Sequence, residues 1–178
     1  MKINLFEINI YIDNIDCSKI NLQNENFKKN WPSQTQSSHS FQNKLDDDSQ
    51  FYLINKIGIL LKNQILKDFK ISITSIWQND YIKNDFQEKH IHPHSHFSFI
   101  IYKKVDESKT VFFNPAEKLI QSFYPEDLIN KTNFFKLDFQ TKCRENQMVL
   151  FPSFLEHMVK KNSNCSTISG NIVIEINQ

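Results

Sequence analysis

The spacing of apolar residues along the chain changes near residue 70. Before that point, apolar residues recur at steps of three and four within residues 49–68, which is the pattern of one face of an amphipathic helix. Acidic residues and a serine at positions 46–49 precede this stretch and offer N-cap chemistry. After residue 70, short runs alternate between apolar and polar residues, as half-buried strands do. The pattern therefore predicts one long helix followed by a β-rich region.

The β-rich region predicts about seven short strands. These predicted strands cover residues 71–77, 97–102, 111–113, 134–139, 148–151, 155–159 and 168–176. An earlier strand is predicted at 3–12, a long surface loop at 13–45, and a short helix at 117–123 within an irregular stretch, 115–132. We expect a single domain, 1–178, of mainly β (α+β) class. Its N-terminal strand, loop and helix (1–69) would support a β-sandwich or barrel core (70–178).

Composition narrows the function classes. The formal net charge of +1 comes from 21 basic and 20 acidic residues, which argues against a nucleic-acid partner. The chain lacks both a signal-peptide pattern and an apolar run of about 18 residues, so we expect a cytoplasmic protein without a membrane partner. Its three cysteines form no CxxC pair, which argues against a zinc ribbon. Oligomeric state stays open.

Histidines supply the strongest chemical signal. Four of the six lie in the seven residues from His90 to His96, and His157 lies 65 positions beyond His92. Residues at i and i+2 of a strand point to the same face, so His90 and His92 can converge on one ion. If the strand of His157 lies beside theirs, three nitrogens occupy one face of an octahedron and leave positions open.

Each histidine also has a structural interpretation without a ligand. His90 and His92 could be polar strand residues, and His157 considered alone resembles a core or surface histidine. We expect His94 and His96 to be exposed or to support the ligands rather than to bind metal. Spacing thus predicts a metal site but no particular reaction.

Four ordered blocks resemble a known family over about residues 70–178. The blocks are Trp77-Gln78-Asn79 with Asp85-Phe86-Gln87, His90-Ile91-His92-Pro93-His94-Ser95, Phe113-Asn114-Pro115, and Leu150-Phe151-Pro152-Ser153-Phe154-Leu155-Glu156-His157. Together they resemble the 2-oxoglutarate/Fe(II)-dependent oxygenases of a type found in marine bacteria and their phages. The N-terminal third matches only loosely.

The resemblance implies a double-stranded β-helix, also called a jelly roll, which is a cupin-like fold. It implies an Fe(II) site at the mouth of the barrel, held by His90, His92 and His157, with 2-oxoglutarate as co-substrate. His92 occupies the position where related oxygenases carry a carboxylate, so the three ligands would all be neutral. The implied activity is hydroxylation of a small molecule or a peptide side chain.

The resemblance also identifies a departure at the co-substrate site. These oxygenases place an arginine about ten residues after the distal histidine, where it binds the far carboxylate of 2-oxoglutarate. Here that position holds Thr167. The residues that could replace the arginine are Lys103 or Lys104 as a point charge and the hydroxyls of Tyr102, Thr167 and Ser169.

Two other functions remain open from the sequence. The first is a three-histidine, cupin-type metalloprotein that does not use 2-oxoglutarate. The second is a non-catalytic binding module with a decayed site, which Thr167 would fit. The specific substrate is not encoded in any motif of this chain.

Overall fold

A computed structural model describes most of the chain. The described residues are 7–23, 28–29, 36–37, 43–65, 68–131, 135–162 and 164–176. They contain three α-helices: α1 (Asp47–Leu61), α2 (Glu117–Phe123) and α3 (Glu126–Lys131). Five short strands precede α1: β1 (Tyr11–Asn14), β2 (Leu22–Gln23), β3 (Lys28–Lys29), β4 (Gln36–Ser37) and β5 (Lys44–Leu45). Eight follow it: β6 (Phe69–Tyr81), β7 (Asp85–His90), β8 (Phe97–Lys104), β9 (Thr110–Phe113), β10 (Asp138–Gln140), β11 (Gln147–Pro152), β12 (His157–Asn162) and β13 (Cys165–Ile176).

Two antiparallel sheets form a jelly roll, as the sequence predicts. The large sheet has the strand order β1-β11-β8-β13-β6-β4-β3, and the small sheet has the order β10-β9-β12-β7. The two-stranded β2-β5 pair lies outside them. Strands adjacent in these sheets are often distant in sequence, as β11 and β8 are, which is the pattern of a β-sandwich built from Greek-key connections.

Helix α1 covers one face of the large sheet. The side chain of Asp46 caps the helix by accepting from the Ser49 backbone N–H at 2.8 Å. Leu53, Ile57 and Leu61 are fully buried and pack with apolar residues of the sheet. The helix therefore supports the barrel from outside, as predicted.

The predicted extent of this helix, 49–68, is wrong at its C-terminal end. The helix ends at Leu61, and the next residues form a turn in which the Gln64 N–H donates to Leu61 O at 2.9 Å. Ile65 and Phe69 nevertheless pack against the same apolar cluster. The helical spacing persists past the end of the helix because these residues reach the core from a turn and a strand.

Several predicted boundaries need correction. The first strand is Tyr11–Asn14 rather than 3–12, of which 3–6 lie outside the described residues. In its described residues, the predicted loop 13–45 contains four two-residue strands, which are too short to produce an alternating pattern. The strand predicted at 134–139 is Asp138–Gln140, with 134 outside the described residues. The strand predicted at 155–159 begins at His157, because a turn closes when the Leu155 N–H donates to Pro152 O at 2.9 Å.

The two faces of the large sheet have different environments. On β8, Phe99 and Ile101 face the cluster beneath α1, whereas Ile100 and Tyr102 belong to a second cluster between the sheets. That second cluster borders the predicted site. Helix α2 matches the predicted range 117–123, and α3 was not predicted. Among the described residues, the helices are too short or too polar to cross a membrane.

Candidate metal centre

Three histidines meet where β7 ends and β12 begins. His90 and His157 are direct partners in the antiparallel pairing of these strands. His92 follows two residues after β7, and its backbone N–H donates to Ser153 O at 3.0 Å, which fixes the loop beside the turn before β12. One ring nitrogen from each histidine lies within 4.8 Å of the other two. The structure therefore brings together the three predicted ligands.

Backbone carbonyls set the orientation of two of these rings. His90 Nδ1 donates to Glu88 O at 2.7 Å, and His157 Nδ1 donates to Leu155 O at 3.0 Å. Because a carbonyl oxygen only accepts, each Nδ1 carries the proton and each Nε2 presents a lone pair. Carbonyl partners of this kind are typical of metal-binding histidines.

The spacing of the nitrogens suits one ion. His92 Nε2 and His157 Nε2 face each other at 3.3 Å. Two imidazole nitrogens bound about 2.1 Å from an ion at a right angle would lie about 3 Å apart. This pair of nitrogens thus fits a divalent metal that prefers nitrogen ligands.

Burial keeps His157 in the neutral form that binds metals. The residue is 2% exposed, and burial, followed by the proximity of His90 and His92, lowers its pKa well below the ordinary value. The rings of Phe151 and Phe112 lie 4.8 Å and 5.6 Å from its own. These contacts hold the imidazole in an apolar setting and restrict its rotation.

An ion network lies on the outer side of the centre. Lys89 Nζ pairs with Glu156 at 2.8 Å and with Glu117 at 2.9 Å. The hydrogen bond to Glu156 is the main cause of the raised pKa of Lys89. Lys89 and Glu156 each precede a histidine of the cluster, so the pair links the two histidine-bearing strands and α2.

A cavity extends from the histidines between the two sheets. Tyr102, Thr167 and Ser169, three of the residues that the sequence suggests for the co-substrate site, line it. The Tyr102 hydroxyl donates to Thr110 Oγ1 at 2.9 Å and accepts from Ser108 at 2.9 Å. Burial raises the pKa of Tyr102 to about 12, so the phenol stays protonated.

The Lys103 side chain lies outside this cavity. Its Nζ donates to Gln78 Oε1 at 2.9 Å. Gln78 pairs across the sheet with Ile168, which packs beneath α1, so this amine lies on the helix-covered face. The structure does not bring Lys103 into the cavity, and it places the Lys104 amine 2.7 Å from the Asn164 side chain, in an exposed position.

His94 and His96 are outside the cluster. Both are exposed, and His94 adopts a φ of 65° in the turn after Pro93. His96 Nδ1 accepts from the Ile174 N–H at 3.0 Å, which anchors the turn to β13. The positions agree with the expectation that neither is a metal ligand.

A family model agrees with this arrangement. Residues 75–169, more than half of the chain, match the family described as "Putative 2OG-Fe(II) oxygenase". The chain belongs to this family. As an oxygenase of this family it is an oxidoreductase that uses Fe(II) and 2-oxoglutarate. No curated protein sequence matches the chain.

Solved oxygenases share the fold of this one. A 2OG-Fe(II) oxygenase family oxidoreductase from Burkholderia pseudomallei has 10% identity and a TM-score of 0.52, over 84% of this chain and 72% of that chain. A prolyl-4-hydroxylase from Pseudomonas putida has 12% identity and a TM-score of 0.51, over 83% and 76%. HygX from Streptomyces hygroscopicus, with nickel, 2-oxoglutarate and hygromycin B bound, has 7% identity and a TM-score of 0.50, over 93% and 83%. At such identities the similarity concerns the fold alone.

Two further residues line the oxygenase cavity: Trp77, which the sequence offers as an aromatic residue that could line the mouth of the barrel, and Lys109, which was not predicted. Trp77 lies against His92 with ring centroids 5.5 Å apart. Lys109 lines the cavity just before β9. Trp77 stands in a family block and was detectable there, but Lys109 lies in no motif, and a single lysine before a short strand carries no signal of its own.

Proposed function

We propose that this oxygenase binds Fe(II) through His90, His92 and His157 and hydroxylates a small molecule or a peptide side chain. The observation that carries the proposal is the convergence of three imidazoles whose ligand nitrogens lie within 4.8 Å of one another. Facial coordination by three groups leaves the remaining positions of an octahedral ion open. The sites around the ion are then available to a co-substrate and to oxygen.

The protein prepares these imidazoles before a metal arrives. Carbonyls of Glu88 and Leu155 hold Nδ1 protons on two rings, so Nε2 of each ring carries a lone pair. The rings of Phe112 and Phe151 pack against the His157 imidazole, restrict its rotation and exclude water from it. Three neutral ligands, rather than two and a carboxylate, leave the full positive charge of the ion for anionic co-substrates.

Bound Fe(II) would supply the oxidation, in which 2-oxoglutarate and oxygen yield succinate and carbon dioxide while a C–H bond of the substrate becomes C–OH. The residues of the chain orient the reactants. We assign Tyr102, Thr167 and Ser169 to the co-substrate pocket, because their side chains line the cavity that begins at the histidines. The hydroxyls of Thr167 and Ser169 can donate to a carboxylate oxygen, whereas the Tyr102 hydroxyl already donates its proton to Thr110.

We infer the substrate class from solved oxygenases that share this fold. HygX has hygromycin B bound, and the Pseudomonas putida protein is a prolyl-4-hydroxylase, so proteins of this fold include one with a small-molecule ligand and one that hydroxylates proline. We propose no nucleic-acid or membrane partner, in keeping with the balanced charge. A cytoplasmic location is compatible with the three free thiols, Cys17, Cys143 and Cys165.

The test measures metal content and turnover in the same protein. We expect one Fe(II) per chain after anaerobic loading, and oxygen-dependent formation of succinate from 2-oxoglutarate even without a substrate. The matched control is His94→Ala, which removes an exposed histidine of the same segment. Stoichiometric iron without any succinate would refute the use of 2-oxoglutarate.

A second candidate rests on His92. Because all three ligands are imidazoles, the centre also matches metalloproteins of cupin type that do not use a 2-oxo acid. Tight binding of iron, nickel or zinc with no affinity for 2-oxoglutarate would favour this candidate.

A further inference from the structure

The far carboxylate of 2-oxoglutarate needs a positive partner in the cavity. A buried carboxylate without one is costly, and Thr167, which stands where the family resemblance implies an arginine, carries no charge. We propose that Lys109, which directly precedes β9 of the small sheet, binds this carboxylate from the sheet opposite β13, where Thr167 lies. The inference rests on the proposed function and assigns a positioning residue within it.

The charges lining the cavity single out Lys109. Among the described residues that line the cavity, it is the only lysine or arginine, and aspartate and glutamate do not occur there. Lys109 is half-buried, and its backbone carbonyl accepts from the Lys160 N–H at 3.1 Å. In the described part of the chain, its amine forms no ion pair. An unpaired cation beside a cavity without acidic groups suits an anionic ligand.

Hydroxyl groups beside Lys109 complete an anion site. Thr110 follows it and bonds the Tyr102 hydroxyl through Oγ1. Tyr102 pairs with Thr167 across β8 and β13, and Thr110 pairs with Val159 across β9 and β12. Lys109 therefore lines the same cavity as residues with hydroxyl groups from both sheets. A carboxylate there can accept one charge-assisted bond and one or more hydroxyl bonds.

Other cations of the region have different positions. Lys103 bonds Gln78 on the helix-covered face, and Lys104 bonds Asn164 in an exposed position. Arg144 is exposed and does not line the cavity. Lys109 is consequently the cation best placed to replace the arginine.

The size of the cavity suggests how a ligand enters. Its enclosed volume is about 20 Å³, which holds roughly one water molecule and not a five-carbon diacid. Side chains at its border must therefore move on binding. Lys109 has a flexible four-carbon stem and is partly exposed, so its amine can swing aside and return onto the bound carboxylate.

The test compares two ligands that differ only at the far end. 2-Oxopentanoate has the same five-carbon chain as 2-oxoglutarate, with a methyl group in place of the distal carboxylate. Affinities are measured by calorimetry on the Fe(II)-loaded protein without oxygen, so the readout is binding and not turnover. The variants are Lys109→Met, which keeps the length of the side chain, and Lys109→Arg, which keeps the charge. Lys160→Met and Lys103→Met are the controls.

We expect wild type to prefer 2-oxoglutarate over 2-oxopentanoate by at least about tenfold. Lys109→Met should remove most of that preference by weakening 2-oxoglutarate alone, while Lys109→Arg and both controls retain it. Thermal unfolding should show Lys109→Met folded, since the residue is half-buried at the border of a strand.

The possible outcomes distinguish a failure of the Lys109 inference from a failure of the proposed oxygenase function. If Lys109→Met retains the preference, or if Lys103→Met loses it, Lys109 is not the partner, although the oxygenase function stands. If wild-type protein loaded with Fe(II) binds neither ligand, the proposed function fails together with this inference.

Discussion

The two faces of the large sheet differ in chemistry: one packs against α1, and the other borders the cavity. On the face beneath α1, Phe99, Ile101 and Ile168 pack with helix residues in a cluster of hydrocarbon groups. On the other face, Tyr102 shares a polar hydroxyl network with Ser108 and Thr110. Residues one position apart on β8 thus enter either a purely apolar core or a cavity next to the histidines.

This difference between the two faces separates residues that determine stability from residues that determine binding. Apolar burial beneath α1 is non-directional and contributes to stability in proportion to area. Polar groups on the cavity side are buried at a cost and must be held in defined directions to bind metal or co-substrate. We therefore expect changes beneath α1 to alter unfolding, and changes at the histidines to alter metal binding.

The largest expected effect comes from His157→Ala. Removing a group that only orients a metal ligand typically lowers metal affinity about 10- to 100-fold. Removing the ligand itself should therefore lower the Fe(II) affinity by at least about 100-fold. Equilibrium dialysis against Fe(II) measures the loss, with His94→Ala as control. An unchanged affinity in His157→Ala would remove this histidine from the centre.

On the helix side, Leu53→Ala should lower the free energy of unfolding by about 2–5 kcal/mol. Leu53 is fully buried, and the alanine leaves a cavity between α1 and the sheet. Ile59→Ala on the same helix removes a side chain that is 68% exposed and should cost less than about 0.5 kcal/mol. Urea denaturation gives both values, and Fe(II) affinity should stay at the wild-type level in each. A metal-binding defect in Leu53→Ala would show that the two faces are coupled.

Glycine substitutions sharpen the comparison further. A Cβ at Gly170 would lie 2.4 Å from Phe99 Cζ and 2.8 Å from the backbone oxygen of Ser75, so Gly170→Ala should destabilise by about 1–3 kcal/mol. A Cβ at Gly58, within α1, would meet only Ile71 at 3.8 Å. Gly58→Ala should instead stabilise by up to about 1 kcal/mol through helix propensity. Thermal melts of the two variants should shift in opposite directions, and equal shifts would contradict the packing described for Gly170.

The smallest effect is expected from Lys89→Met, on the outer side of the metal centre. Its ion pairs with Glu156 and Glu117 are partly exposed, so they contribute little energy but help to align β7 with β12. Fe(II) affinity should fall by less than about fivefold. Lys131→Met removes a more exposed pair with Asp127 away from the centre and serves as control. A loss as large as that of His157→Ala would mean that the ion network, rather than the carbonyl bonds, positions the imidazoles.

The metal centre was predictable because its signal is local and chemical. Four histidines in seven residues, followed by a proline turn and His157, restrict the ligand set before any fold is known. Antiparallel pairing of His90 with His157 was the condition for that prediction, and the structure satisfies it. The ligand roles themselves stay a prediction until metal binding is measured.

The positions of the lysines and the end of α1 depend on tertiary packing, so they could not be predicted from the sequence. The register of β8 and β13 shifts between Ser166 and Thr167, where Lys103 and Lys104 lie, and Lys103 bonds Gln78 on the helix-covered face. The end of α1 was similarly hidden, because Ile65 keeps the helical spacing from within a turn. Lys109 has no pattern around it, and only the fold brings it to the cavity.

The most direct test is the visible absorption of the Fe(II)-loaded protein titrated with 2-oxoglutarate in the absence of oxygen. Chelation of the 2-oxo acid at iron should produce a charge-transfer band that saturates at one equivalent in wild type and in His94→Ala. The band should be absent in His157→Ala under the same conditions. Saturation in all three proteins, or no band in wild type carrying one iron per chain, would contradict the account.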